Sequence, residues 1–405
     1  MRVTSPRHLG SLLRAALQWA VVTCAGVGTA AGQAPPGGQE PVLAFTPGWT
    51  TQLPGPPGSA PANDDERIYV PLRAGGLAAV ALASGRVDWQ ARTPPGAFLA
   101  AGGGLVFAAW PAAVVGIDPG LVFTAYPAAV VAFDAATGAE RWRYGLDGTL
   151  VAPPVWNNGW LLVGATNGRL TMLRAEQGRP LWTRDLGAAL RPGAAMTGDR
   201  LYVMLEDGRV VALTLDRGEP VWERKIDARG TALTALDDRI FVGGDDRFFY
   251  CLSAGDGKVK WRWRAGGAVL GTPIVDEDAV YFLALDNTLR ALNYGNGHQR
   301  WKRGLAFRPV GGPVRAGAVL LVPGLTADIP AFLASTGAPA GKITVGAELT
   351  APPLLLPGET AEERSIVVVT GESVQQFGPP PPVLESRPVP GLPLFLPLAP
   401  PPLAK

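Results

Sequence analysis

The sequence predicts an all-β fold: an eight-bladed β-propeller of four-stranded antiparallel blades, its ring closed by an N-terminal strand. Three observations carry this. Tryptophan recurs at Trp49, Trp89, Trp142, Trp182, Trp222, Trp261 and Trp301, at intervals of 40, 53, 40, 40, 39 and 40 residues. A further step of 40 lands on Gly341, where the tryptophan is lost and the frame survives. From the second unit on, a glycine stands four residues before each mark, at Gly85, Gly138, Gly178, Gly218, Gly257, Gly297 and Gly337. A fixed period of this length marks a fold built from stacked supersecondary units.

Each unit holds four short strand patterns. In the stretch from Leu181 to Trp222 a first strand ends at the turn Thr197-Gly198-Asp199, and an alternating strand follows at Leu201–Leu205. A Glu206-Asp207-Gly208 turn leads to Val210–Leu213, and a turn at Gly218 leads into the strand of Trp222. Asn167-Gly168 fills the slot of Asp207-Gly208 one unit earlier, and both pairs supply the positive φ that a two-residue hairpin needs. Four strands in about 40 residues is the pattern of a propeller blade. The interval of 53 contains a tandem duplication: residues 104–119 recur at 120–135 with 11 of 16 positions identical. This predicts an extra pair of strands or a protruding loop on one blade. Leu121 lies 21 residues before Trp142, as Leu201 does before Trp222, which favours the second copy as the one in the sheet.

Blade count follows from the ends. Seven full intervals separate Trp49 from Gly341, and the run from Ala351 to Phe377 supplies three more strands. The Phe45–Trp49 segment is the spare fourth, and closure with it leaves no open sheet for other chains to pair with. The glycine relieves a tight turn. The tryptophan brings a large apolar side chain to pack between neighbouring blades, with an N–H able to reach a backbone acceptor. Spacing by one blade sets each tryptophan at the same place in a ring rather than in one cleft. That favours a structural ladder over a carbohydrate-stacking surface.

Composition narrows the function. Lys+Arg number 36 against 34 Asp+Glu, and removing a leader with Arg2, Arg7 and Arg14 leaves 33 against 34, which argues against a nucleic-acid binder. The two histidines are His8, in the leader, and His298, so a histidine metal cluster or histidine-driven nucleophile is excluded within one mature chain. Two cysteines, Cys24 and Cys251, exclude a disulfide scaffold, a CxxC redox site and a zinc ribbon.

Residues 1–34 read as an export leader, with a positive start and a small apolar run from Ala15 to Gly28 that is too short to span a bilayer. Val21-Val22-Thr23-Cys24 is similar to a lipoprotein cleavage box, which makes Cys24 a candidate for lipidation; Thr23 departs from the small residue usual there. Residues 35–44 form a linker, 45–378 the propeller, and 379–405 a tail with 11 prolines among residues 379–402. Proline excludes helix and central strand, so the tail is expected to be extended and mobile, a disordered end or a polyproline ligand for an envelope partner.

The run Ala132-Phe133-Asp134-Ala135-Ala136-Thr137-Gly138-Ala139-Glu140-Arg141-Trp142 closely resembles the tryptophan-docking motif of PQQ-like propeller repeats, and Cys251 to Trp261 is a second match. The resemblance spans about residues 45–377 and implies the eight-bladed fold. Two groups share it: quinoprotein dehydrogenases and the BamB-type factors of outer-membrane protein assembly. The resemblance implies, for the enzymes, an adjacent cysteine pair against the quinone and calcium held by Glu, Asn and Asp. Here Cys251 is alone in a strand. Asp245-Asp246 and Asp276-Glu277-Asp278 occupy strand-connecting positions, where aspartate bonds nearby backbone. The resemblance therefore points to a non-catalytic, BamB-like scaffold in the periplasm or at the periplasmic face of the outer membrane. Its expected partners are envelope proteins, with the barrel-assembly machinery as the candidate, and its expected membrane contact is only through a lipid on Cys24; no cofactor, metal or nucleic acid is expected. The alternatives are a PQQ-dependent dehydrogenase and a periplasmic propeller that binds a ligand or polymer.

Other candidates reduce to structure. In Lys258–Arg264 the basic residues fall on one face at period two and Val259, Trp261 and Trp263 on the other, an amphipathic outer strand. Cys251, within Phe248–Leu252, reads as a core residue and His298 as an exposed turn residue.

Overall fold

The computed structural model describes residues 45–116, 123–150, 152–356 and 365–378. The leader with Cys24, the linker at 35–44 and the proline-rich tail at 379–405 lie outside the described residues.

Among the described residues the strands form eight four-stranded antiparallel sheets and one two-stranded sheet. We number the blades I to VIII along the chain. Blade I comprises Ala62–Asn63, Arg67–Pro71, Leu77–Ala81 and Val87–Ala91. Blade VIII takes Leu354–Leu356, Ser365–Val369 and Ser373–Gly378 from one end of the chain and Thr46–Gln52 from the other. Thr46 pairs with Gly378 and Gln52 with Ser373, so the ring closes as predicted, with the N-terminal strand outermost.

The second and third strands of each blade are apolar because both of their faces are covered by neighbouring blades. In blade IV, Leu201, Val203 and Leu205 pack toward blade III, while Tyr202 and Met204 pack toward blade V. This period-two division repeats around the ring and gives one buried cluster at each of the eight interfaces. The outermost strands are half exposed: in Val259–Arg264, Trp261 and Trp263 are partly buried and Lys260, Arg262 and Arg264 exposed. Where blades VI and VII converge, backbones touch. A Cβ at Gly271 (φ +59°) would stand 2.0 Å from the Gly312 nitrogen.

Two expectations change. The Asn-Gly and Asp-Gly turns are not two-residue hairpins. Gly168 and Gly208 take φ of +81° and +86°, their N–H groups donate to Ala165 and Leu205, and Asn167 is absent from the positive-φ residues. These are longer turns with one left-handed residue; Asn167 caps the first by donating to the Asp147 carbonyl and accepting the Arg169 N–H, and Asp207 caps the second by accepting the Arg209 N–H.

The duplication is shared rather than resolved in favour of the second copy. Blade II takes its second strand, Leu105–Trp110, from the first copy and its third, Ala129–Asp134, from the second. The intervening halves, Ala113–Gly116 and Phe123–Tyr126, pair with each other. One register runs through both ladders: Leu105 opposes Asp134, Trp110 opposes Ala129, Ala113 opposes Tyr126 and Gly116 opposes Phe123. The result is one long hairpin, interrupted where Pro111 and Pro127 lack N–H donors. Packing selects the first copy for the sheet. Ala108 is fully buried, and the second copy offers the bulkier, polar Thr124 at that place. Trp110, 3% exposed, seals the base by donating to the Pro127 carbonyl at 3.0 Å.

Candidate interaction site

Antiparallel blades give the ring two faces. First-to-second and third-to-fourth turns emerge on one; second-to-third turns and the connectors between blades emerge on the other.

The seven tryptophans build a latch on the first face. Each reaches from the outermost strand of its blade to the third-to-fourth turn of the next. Trp49, Trp89, Trp142, Trp182, Trp222, Trp261 and Trp301 donate their indole N–H to the carbonyls of Leu82, Ala135, Ala175, Leu215, Ala254, Tyr294 and Ala334, at 2.7 to 3.2 Å. Each acceptor stands three residues before a motif glycine. Gly85, Gly138, Gly178, Gly218, Gly257, Gly297 and Gly337 hold φ between +64° and +73°. A Cβ on any of them would lie within 2.5 to 2.7 Å of the docked ring. The glycine's partner is therefore the tryptophan of the preceding blade, not the one four residues downstream. Gly341, in the outermost strand of blade VII, has no tryptophan for a matching reason. The next blade's third and fourth strands are the two ends of the ring, so no turn joins them to receive an indole.

On the same face a cleft of about 1190 Å³ opens between blades I, II and III. Asp64, Asp65, Glu66, Asp134 and Glu176 line it with Arg67, Arg141 and Trp156. Gly102 and Gly103 let the backbone lie against the Trp156 ring, whose Nε1 is buried with no acceptor among the described residues. Sequence reasoning missed this site, because its residues come from three blades. Two of its carboxylates have structural work. Asp64 accepts the Glu66 and Arg67 N–H groups at 2.9 and 2.7 Å and the Tyr69 hydroxyl at 2.6 Å. Burial and that bond push the Tyr69 phenol well up. Asp134 is held below the usual carboxylate range by hydrogen bonds from Thr137 and by Arg141.

The other residues singled out by sequence are dispersed. Asp246 caps the Phe248 N–H at 2.9 Å and accepts the Tyr250 hydroxyl at 2.5 Å. Asp276 caps Asp278 and Ala279 at 3.0 and 2.7 Å and pairs with Arg315. Cys251 is fully buried at the interface of blades V and VI, and loss of water pushes its thiol up to about 11, which makes it inert. His298 is exposed in its turn. Among the described residues no group of three His, Cys, Asp or Glu is placed to hold a metal ion. With Cys251 sealed in a core, Asp246 and Asp276 on separate turns, and the cleft carboxylates Asp64, Glu66 and Asp134 bonded to Tyr69, Arg67 and Arg141, the described residues do not fit a calcium–quinone centre.

Fold and latch together define the class: an eight-bladed propeller of PQQ-like repeats. The chain belongs to the family described as outer membrane protein assembly factor BamB, whose model matches residues 97–238 and 230–351. It is 35% identical over 69 residues to the BamB of Shewanella oneidensis and 32% over 69 residues to that of Yersinia pestis. Each match covers 17% of this chain and 18% of the relative, so the aligned part spans less than a fifth of either protein. In three dimensions it is similar to BamB from Moraxella catarrhalis, with a TM-score of 0.65 and 17% identity over 82% of this chain and 99% of that one. It is also similar to a quinohemoprotein alcohol dehydrogenase from Comamonas testosteroni, with a TM-score of 0.65 and 14% identity over 83% of this chain and 76% of that one. At these identities the structural likenesses establish the fold.

Proposed function

We propose that the protein is a non-catalytic scaffold of the cell envelope that assists assembly of outer-membrane β-barrel proteins through protein–protein contacts, working at the periplasmic face of the outer membrane. The observation that carries this reading is the family match, which runs without a gap from blade II to the start of blade VIII. The architecture supports it. A ring stiffened at its interfaces by indole latches presents two faces of short turns, the form of a rigid platform. The residues that quinone chemistry needs are not assembled, which favours the scaffold over the dehydrogenase.

Affinity capture from envelope extracts, with the full chain as bait, tests it. Recovery of the barrel-assembly machinery supports the role, and its consistent absence rejects it. We further propose that Cys24 carries a lipid anchor. Cys24→Ala should move the protein from the membrane to the soluble fraction, and unchanged fractionation would end that idea.

A further inference from the structure

Six large apolar side chains are exposed among the described residues, and three of them share one sector of the second face. Leu285, in the second-to-third turn of blade VI, is 44% exposed; Val310, in the connector to blade VII, 41%; Leu325, in the turn of blade VII, 58%. Backbone bonds make the sector continuous. Leu305 N–H donates to Asn287 at 2.8 Å, and Val310 and Leu325 N–H groups each donate at 3.2 Å, to Pro323 and Arg308. The connector thus ties both turns together.

Exposed arginines surround these tips. Arg308 lies in the same connector, Arg264 ends the outermost strand of blade V, and Arg247 sits in that blade's turn, where its carbonyl accepts the Ala265 N–H at 2.7 Å. None of the three forms an ion pair among the described residues. Three of the nearby carboxylates are already committed, Asp246 to Phe248 and Tyr250, Asp286 to both terminal nitrogens of Arg290 and Asp245 to the Arg229 N–H, while Asp227 lies beyond them on the blade IV side of blade V. Arg247 also holds φ +75°, in the turn position that Gly168, Gly208 and Asn287 fill in other blades. A side chain there strains the backbone, and such strain persists where the residue is used.

We propose that this sector of blades V to VII is a docking surface for an anionic lipid bilayer. Charge complementarity selects the occupant: three exposed guanidinium groups outside any ion pair among the described residues, Arg264 also lying over the Phe248 ring, stand beside the tips, and of the carboxylates closest to Leu285, Asp286 is neutralised by Arg290. The exposed apolar contribution, Leu285, Val310 and Leu325, is aliphatic and mounted on turn tips, unlike the aromatic anchors that dominate protein interfaces. Leu and Val tips with an arginine border suit a yielding headgroup layer. The surface is independent of the scaffold reading, since barrel-machinery capture can succeed or fail without it.

Sedimentation of the full chain with lipid vesicles tests the proposal. Binding should appear with phosphatidylcholine vesicles containing about a third phosphatidylglycerol, fall with added salt, and be absent with phosphatidylcholine alone. The triple variant Arg247→Glu, Arg264→Glu, Arg308→Glu should lower partitioning roughly a hundredfold. The equally charged control Arg73→Glu, Arg92→Glu, Arg179→Glu, on blades I and III, should bind as the parent does. Arg247→Gly relieves the turn, so it should raise the urea midpoint while weakening vesicle binding, a divergence that a structural role does not produce. Leu285→Ser with Leu325→Ser should weaken binding and leave its salt dependence unchanged. No sedimentation with the anionic vesicles, equal binding to neutral ones, or equal loss in both triple variants overturns the proposal. Retention of an acidic polypeptide by the parent, with no vesicle binding, would assign the same arginines to a protein partner instead.

Discussion

At the residue scale, Gly257 and Trp222 illustrate how one blade is fixed to the next. Gly257→Ala would place a methyl group 2.6 Å from the indole at φ +69°, two penalties at one position. A loss of about 2–3 kcal/mol in urea denaturation is expected. Trp222→Phe keeps most of the packing and removes only the donor to Ala254, with an expected cost of about 1 kcal/mol. The Asp286–Arg290 pair behaves differently, because the Arg290 side chain is 8% exposed. Asp286→Asn strands that guanidinium, and a loss of about 3 kcal/mol or more is expected. Burial raises the Asp286 pKa, but Arg290 outweighs it and the net shift is downward. The pair's stabilisation is thus present above the unfolded carboxylate pKa, about 4, and drains away as pH falls from there through the folded value. Urea midpoints on either side of that window should drop for the parent and less for Asp286→Asn. The glycine and tryptophan positions were legible because they recur in the sequence. Their pairing was not, since it joins residues of different blades, and nothing periodic marks Arg290 or Trp156.

Elements were legible to the extent that alternation is local. The second and third strands announce themselves as apolar runs, and the outer strand Val259–Arg264 by its alternation, which holds for Trp261 and Trp263 but not for Val259: a bulge between its pairing with Leu252 and that of Trp261 with Cys251 breaks the period and leaves Val259 46% exposed. The turns were read less well, because Asn167 could serve either as a left-handed residue or as a cap, and only the neighbouring connector at Asp147 decides. The long hairpin of blade II makes a sharp prediction. Deleting residues 111–126 would join Trp110 to Pro127 and leave both blade strands in register. The shortened protein should unfold in one cooperative step within about 1–2 kcal/mol of the parent, the Trp110–Pro127 bond being the main loss. Loss of cooperative unfolding would show instead that the second copy supplies the blade.

For the whole molecule, the period of the tryptophans counted the blades, and the leftover strands at the two ends closed them into a ring. What the period could not reveal is how the surface outside the latch is used, because cleft and turn tips are assembled from several blades at once. Closure has its own test. Thr46 and Gly378 are paired neighbours, so a permuted chain that links them and opens at Thr137 should fold. Its stability should fall by about the cost of one latch, because the new ends lie where Trp89 docks against Gly138. The long hairpin of blade II bears on how such rings change over evolutionary time. A tandem copy of a hairpin arrives with its complementary partner already encoded, so the outer halves keep their inherited places and the inner halves zip onto each other. The blade thus keeps its two strands in place while gaining two more that it does not need for closure.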